Sequence, residues 1–326
     1  MLKCKHVTVT VTNECNMKCK GCYVKQRNEY FDSIVFKEKI IDELLSIGIS
    51  SIGFSGGEPL LYSSLEECIT VSKESGLVTS LVSNGKAFSE ERAKQLKLAG
   101  LDRIQFSLDA GDRQVNDMYR ENGSFEWVTG HAVPIATKLG IRTTLVAVPN
   151  KYLMNNIKEY LDLASELHVS SVYFRRHVDI EGQEPSGEMK RLYTKFLSEI
   201  DRLIDLYDYN IYSGDPIYCA IKLQKSNAEL KNIFAGCSAG VTSLAIQPNG
   251  DINPCTRLPI KLGNAYEDSI IDIWKHNEIL EVMRMRDLIG RCGKCPYKFA
   301  CGGCRADAFY RTHNYAETDT MCNIFV

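Results

Sequence analysis

Three cysteines fall within eight residues near the start of the chain, in Cys15-Asn16-Met17-Lys18-Cys19-Lys20-Gly21-Cys22. They follow an alternating run, Val7-Thr8-Val9-Thr10-Val11-Thr12, that reads as a strand. A strand ending in a loop of thiolates can wrap one face of a metal cluster. Three thiolates rather than four leave one metal position open, which is what chemistry on a substrate needs. A zinc knuckle or three unrelated buried thiols are the other readings of this stretch. A second thiol-rich region lies far downstream. Residues 211–326 hold eight of the 13 cysteines: Cys219, Cys237, Cys255, Cys292, Cys295, Cys301, Cys304 and Cys322. Cys-x₂-Cys pairs serve both zinc ribbons and iron–sulfur centres, so the pairs alone leave the metal open.

Composition narrows the setting. At 326 residues, with 44% apolar and 25% charged side chains, the chain suits two domains, or one barrel with an appendage. A formal charge of −2 and the absence of a polybasic run give no electrostatic case for nucleic acid or an anionic membrane. No apolar run approaches the roughly 18 residues of a membrane span, and Met1-Leu2-Lys3-Cys4 has no signal-peptide apolar region. The expected location is the cytoplasm. Thirteen cysteines there are not explained by disulfides; metal ligation explains them.

The elements that must position these thiols alternate. Strands are expected at 7–12, 51–54, 78–82, 103–108, 141–148 and 170–174. Helices are expected at 36–47, 65–73, 90–98, 125–139 and 157–167. This makes six βα-type repeats and a parallel sheet with helices outside. Six units fall short of the eight of a full TIM barrel. Function in such folds collects at the carboxyl ends of the strands. At those ends stand Ser55-Gly56-Gly57-Glu58-Pro59, Ser83-Asn84-Gly85, Ser107-Leu108-Asp109 and Arg175-Arg176-His177-Val178-Asp179. His177 and Asp179 are the candidates for a general base or substrate contact, with Tyr212, Asp215 and Tyr218 as further cavity residues. A long amphipathic helix, 187–206, leads to the cysteine-rich region, where Asn249-Gly250 marks a hairpin within 244–252.

The Cys-x₃-Cys-x₂-Cys spacing, followed after the next strand by Gly-Gly-Glu-Pro, closely resembles radical S-adenosylmethionine (SAM) enzymes. The downstream pattern, Cys237-x₁₂-Gly250-x₄-Cys255 and then Cys292-x₂-Cys295-x₅-Cys301-x₂-Cys304 with Cys322, resembles their SPASM domain. One departure is Cys301-Gly302-Gly303-Cys304, with two intervening residues where many relatives have three. The resemblance implies an α/β fold: a partial (β/α)₆ TIM-like barrel over residues 1–210 and a cysteine-rich SPASM domain over 211–326. It implies a [4Fe–4S] cluster on Cys15, Cys19 and Cys22, with SAM on the fourth iron. Gly56, Gly57, Glu58 and Pro59 would hold the SAM amino group, Asn84, Ser107 and Asp109 its ribose or methionine part, and Arg120 its carboxylate. Two auxiliary iron–sulfur clusters are implied, one on Cys292, Cys295, Cys301 and Cys322, the other on Cys237, Cys255 and Cys304. Cys219 is a candidate fourth ligand to the latter.

The activity implied is an oxidoreductase that cleaves SAM reductively and abstracts hydrogen from an unactivated carbon. Its electron would come from a flavodoxin- or ferredoxin-type donor. A peptide substrate is the leading expectation, for cross-linking or oxidation of a ribosomal precursor or a peptide-derived cofactor. A small molecule, tetrapyrrole or aminoglycoside, is the alternative, and a non-catalytic iron–sulfur protein is a third reading. The barrel begins almost at residue 1, with no N-terminal peptide-recognition domain expected, so a peptide would call for a separate carrier protein or direct binding in the cleft.

Overall fold

Seven strands run parallel and side by side in chain order: β1 (His6–Thr12), β2 (Ser51–Gly56), β3 (Val78–Ser83), β4 (Arg103–Ser107), β5 (Arg142–Ala147), β6 (Ser171–Phe174) and β7 (Asn210–Ser213). The structure, a computed structural model, describes residues 3–24, 27–226 and 236–324. Three further strands, β8 (Ser243–Ile246), β9 (Asp251–Asn253) and β10 (Gly263–Asn264), extend the sheet on the far side of β1. β8 lies parallel to β1, and β8–β9 is the hairpin expected around Asn249-Gly250. The sheet stays open between β7 and β10, as a partial α/β barrel does. It also runs through the boundary expected at 210/211, since β7 begins there and β8 comes from the cysteine-rich region.

The alternation in β1 shows why these residues form this sheet. Val7, Val9 and Val11 are fully buried and belong to one core with Phe36, Ile40 and Leu44 of the following helical stretch. Each such buried aliphatic side chain contributes roughly 1.5–3 kcal/mol. The intervening Thr8 is half-buried on the opposite face, with Ser80 of β3 in register with it through Gly53 and Gln105 of β4 two residues further along on the same face. That polar face is the barrel interior. The helical stretch runs from Ser33 to Ser46 with a π-type turn at Phe36–Ile40, started by the Asp32 carboxylate, which accepts from the Ile34 and Val35 amides. The helices at Leu65–Glu74, Glu90–Leu98 and Ile157–Glu166 match expectation within a residue. β7 was not expected; its four residues carry no alternation long enough to read.

Candidate active site

The cysteine loop leaves β1 at a register shift, where Thr12 comes opposite Gly56. The tail of β2 then binds the loop backbone to backbone: the Gly57 amide donates to the Thr12 carbonyl and the Glu58 amide to that of Glu14, both at 2.8 Å. A Cβ on Gly56 would stand 2.4 Å from the Thr12 oxygen, and one on Gly57 2.1 Å from that of Glu14. These two glycines are therefore demanded by the protein's own loop. The Glu58 carboxylate is fully buried and accepts from the Leu60 amide, the Ser83 hydroxyl and the Asn84 amide at 3.1, 2.9 and 2.8 Å. Burial pushes its pKa up to about 7 although these three donors oppose the rise. Pro59 starts the short turn Pro59–Leu61. What this segment presents outward is backbone.

The far side of the loop is held by polar side chains. Asn84 donates through Nδ2 to Asn16 at 2.8 Å and stands 3.9 Å from the Cys15 sulfur. Lys86 donates to the Asn16 carbonyl and pairs with Glu121, whose carboxylate also accepts from the Lys18 amide. Arg120 pairs through Nε with Asp109 at 2.8 Å, and the other Asp109 oxygen accepts from the Val148 amide. The pKa of Arg120 is raised by Asp109 and Cys19 against the effect of burial, so the guanidinium lies beside the cysteine loop. Ser107 is half-buried at the end of β4. Cys15 and Cys19 are half-buried and Cys22 is exposed. Burial pushes Cys15 up to about 11, with Glu58, Cys19 and Cys22 adding to the rise, so binding metal there must expel protons.

The downstream thiols form two sets. Cys292, Cys295, Cys301 and Cys322 line one cavity of about 350 Å³. Cys322 feels both Cys292 and Cys295, and Cys301 feels Cys322. Cys237 acts on both Cys255 and Cys304, which makes the second set; burial pushes Cys304 up to about 12. Cys219 stands apart: its pKa is raised by burial and lowered by Lys222, with no other thiol acting on it. Among the described residues no three His, Cys, Asp or Glu side chains form a group for a single metal ion. The thiols associate as looser sets, felt electrostatically, and soft donors so arranged around a cavity fit an iron–sulfur cluster.

Sequence reasoning singled out His177 and Asp179; the structure places them beyond the end of β6, with Asp179 and Arg257 both acting on His177. His177 is exposed, and Asp179 accepts from the Glu181 amide in a turn of its own. Two arginines, Arg175 and Arg257, were given no role from the sequence. Arg175, two residues beyond the interior-facing Tyr173, reaches across to Gln105 at 3.2 Å. Arg257 donates to the Arg176 carbonyl and is acted on by Cys304, Cys255, Tyr23 and Tyr173. Tyr173 also stacks on Tyr212 with ring centroids 4.9 Å apart. The period-two rule applied to Arg175-Arg176 would have sent one guanidinium inward and the other outward. Arg176 is the outward one, fully buried against Asp215 at 2.8 Å and Asp319 at 2.5 Å. Asp215 is thereby spent on an ion pair; Tyr218 is buried.

An open, largely parallel barrel thus carries a loop of three thiols, Cys15, Cys19 and Cys22, at the carboxyl end of its first strand, a donor set that fits an iron–sulfur cofactor. Among known proteins, the pattern of the radical SAM superfamily matches residues 9–164, and that of the SPASM iron–sulfur cluster-binding domain matches residues 237–296. The chain belongs to the radical SAM superfamily and carries a SPASM domain. Its cofactors are a [4Fe–4S] cluster, SAM and auxiliary iron–sulfur clusters. Two relatives named AdoMet-dependent heme synthase, from Nitratidesulfovibrio vulgaris and Methanosarcina barkeri, are 24% and 26% identical over 98% and 96% of this chain, and 92% and 94% of their own lengths. The crystal structure of Streptococcus suis SuiB bound to precursor peptide SuiA shares the fold, with a TM-score of 0.77 at 19% identity over 99% of this chain and 77% of that one. Among the described residues no helix is long and apolar enough to cross a membrane.

Proposed function

We propose that this radical SAM enzyme acts on a small molecule bearing carboxylates, a tetrapyrrole first among them. The observation that carries this reading is the pair Arg175 and Arg257, both beside Tyr173, neither with a carboxylate of the described chain in ion-pair contact. A guanidinium with no carboxylate partner suits a carboxylate delivered by the substrate, and Arg257 also feels the thiols of Cys304 and Cys255. The two heme synthase relatives support the same class, because they align along almost their whole length. A peptide is the rival that the SuiB likeness brings to mind, at an identity that speaks for the fold alone.

In this reading Cys15, Cys19 and Cys22 hold the SAM-binding cluster. Cys292, Cys295, Cys301 and Cys322 hold one auxiliary cluster, and Cys237, Cys255 and Cys304 the other. The backbone of Gly56–Pro59 with Asn84, Ser107 and Arg120 borders SAM, and Asp109 fixes the Arg120 guanidinium. When bound and reduced by a flavodoxin- or ferredoxin-type donor, the cluster with SAM would supply reductive cleavage of SAM and the capacity to abstract hydrogen from an unactivated carbon. The chain's own work is to orient that carbon and keep water out. His177 and Asp179, beyond the end of β6 and near Arg257, are candidates for a substrate contact.

The test is binding and turnover with iron coproporphyrin, which carries four carboxylates, beside an octaalkyl porphyrin without any and a set of acidic peptides. The expected result is a Soret shift on titration with the coproporphyrin and a rise in 5′-deoxyadenosine above the uncoupled rate. Arg175→Met and Arg257→Met should each weaken that binding about 10- to 100-fold, the worth of a charge-assisted hydrogen bond. Equal binding of the octaalkyl porphyrin, or stimulation by peptide alone, would overturn the reading.

A further inference from the structure

Arg286 is a buried cation with two donors left over. It ends the helix Glu278–Met285 in a left-handed conformation, φ +51, rare for a residue with a side chain. Its side chain is among the largest fully buried in the protein. One nitrogen, Nη2, donates to the Cys237 carbonyl at 2.8 Å, while Nε and Nη1 have no hydrogen-bond partner among the described residues. The groups acting on it are the thiols of Cys237 and Cys301 and, as a like charge, Arg305. A guanidinium buried without a counter-charge is a heavy cost to a fold, so something anionic is due at this place.

The surroundings say where. Cys301 and Cys304 belong to different thiol sets and are joined by the two-residue turn Gly302-Gly303, both at positive φ. A Cβ on Gly302 would stand 2.3 Å from the central guanidinium carbon of Arg286, and one on Gly303 2.4 Å from Nη2 of Arg305. The shortened turn thus admits one arginine against each glycine. Arg305 is satisfied: it donates to the Tyr315 and Glu317 carbonyls at 2.8 and 2.7 Å and lies 3.6 Å from the Cys292 sulfur. Arg286 is not, and it sits where the two thiol sets meet.

We propose that Arg286 is the shared counter-charge and hydrogen-bond donor of the two auxiliary clusters, and that it raises the reduction potential of both. The proposal rests on the assignment of Cys301 and Cys237 to those clusters. A thiolate-ligated cluster is a net anion, and donors to its sulfurs stabilise the more negative, reduced form. Losing the cation makes reduction harder. Lysine at this place keeps the charge but not the planar fork that lies along Gly302.

The experiment is an EPR-monitored redox titration of the full-length, anaerobically reconstituted protein as wild type, Arg286→Lys and Arg286→Met, after iron per chain is counted. The auxiliary signals should move to more negative potential in both variants, further in Arg286→Met. The N-terminal cluster, told apart by its response to added SAM, should stay unmoved. Unchanged auxiliary midpoints at full iron content would overturn the proposal and leave Arg286 a packing residue. If Arg286→Met loses iron, Arg286→Lys decides alone: a negative shift upholds the proposal and an unmoved midpoint ends it. A wild type with only about four irons would remove the cluster assignment itself, and the proposal with it, and the iron count recognises that case separately.

Discussion

Glu58 looks, in the sequence, like a ligand-binding carboxylate, and in the fold it is a brace that ties the β2 tail to the end of β3. Its pKa, pushed up to about 7 by burial, makes the brace sensitive to pH. The folded chain then holds this proton more tightly than the unfolded chain. Its contribution to stability is fully present below the ordinary carboxylate range and is lost as pH rises through about 7. The loss is at most about 3 kcal/mol. The metal-free protein should therefore unfold at lower urea as pH goes from 5 to 7.5, and Glu58→Gln should flatten that slope whatever it does to absolute stability. Parallel pH profiles for the two proteins would rule the idea out. Arg175, Arg257 and Arg286 show the opposite limit of residue-level reading. Their place in the chain gives them no role, because the roles proposed for them depend on the carboxylate partners they lack after folding.

The element that decides the site is the junction of the β1 loop with the β2 tail. Its signals were legible because they are local: the cysteine spacing, the Gly-Gly pair and the strand alternation all fall within short windows. The βα rhythm through β6 was legible for the same reason. β7 and the pairing of β8 with β1 were not, since a four-residue strand has little pattern and its partner is chosen by contacts far along the chain. Gly57 tests the junction. A methyl group there meets the Glu14 carbonyl oxygen at 2.1 Å, an atom of the backbone that cannot swing aside. Gly57→Ala should cost on the order of 2–4 kcal/mol and deplete the N-terminal cluster by about four irons. Gly187→Ala, at the start of a helix where the nearest atom is the tip of Arg191 at 3.4 Å, should change neither by much. Iron analysis and urea unfolding of the two variants side by side make the comparison.

At the scale of the whole molecule, the barrel and the cysteine-rich region share one buried charge cluster as well as one sheet. Arg176 leaves the end of β6 and meets Asp215 from beyond β7 and Asp307 and Asp319 from the C-terminal region, with Arg311 pairing Asp307 at 3.1 Å. Asp319 carries the connection on to the thiols: its carboxylate accepts from the Cys304 amide at 2.8 Å, and its own amide donates to the Cys292 sulfur at 3.3 Å. Both downstream thiol sets are thus tied, through Asp319, to an arginine just past the end of a barrel strand. Removing that cation leaves three buried carboxylates with Arg311 as their one remaining cationic partner among the described residues, which costs on the order of 3–5 kcal/mol. The damage should be directional. Arg176→Met should lose the irons of the Cys292 and Cys237 sets while the cluster on Cys15, Cys19 and Cys22 still loads and still binds SAM, because that loop is fastened by β2, Asn84 and the Tyr119–Glu121 segment instead. Adding Asp319→Asn should restore part of the lost stability without restoring the irons, since the neutral amide relieves the charge but supplies one acceptor in place of two. Full iron content in Arg176→Met would mean that the cysteine-rich region organises its thiols without help from the barrel.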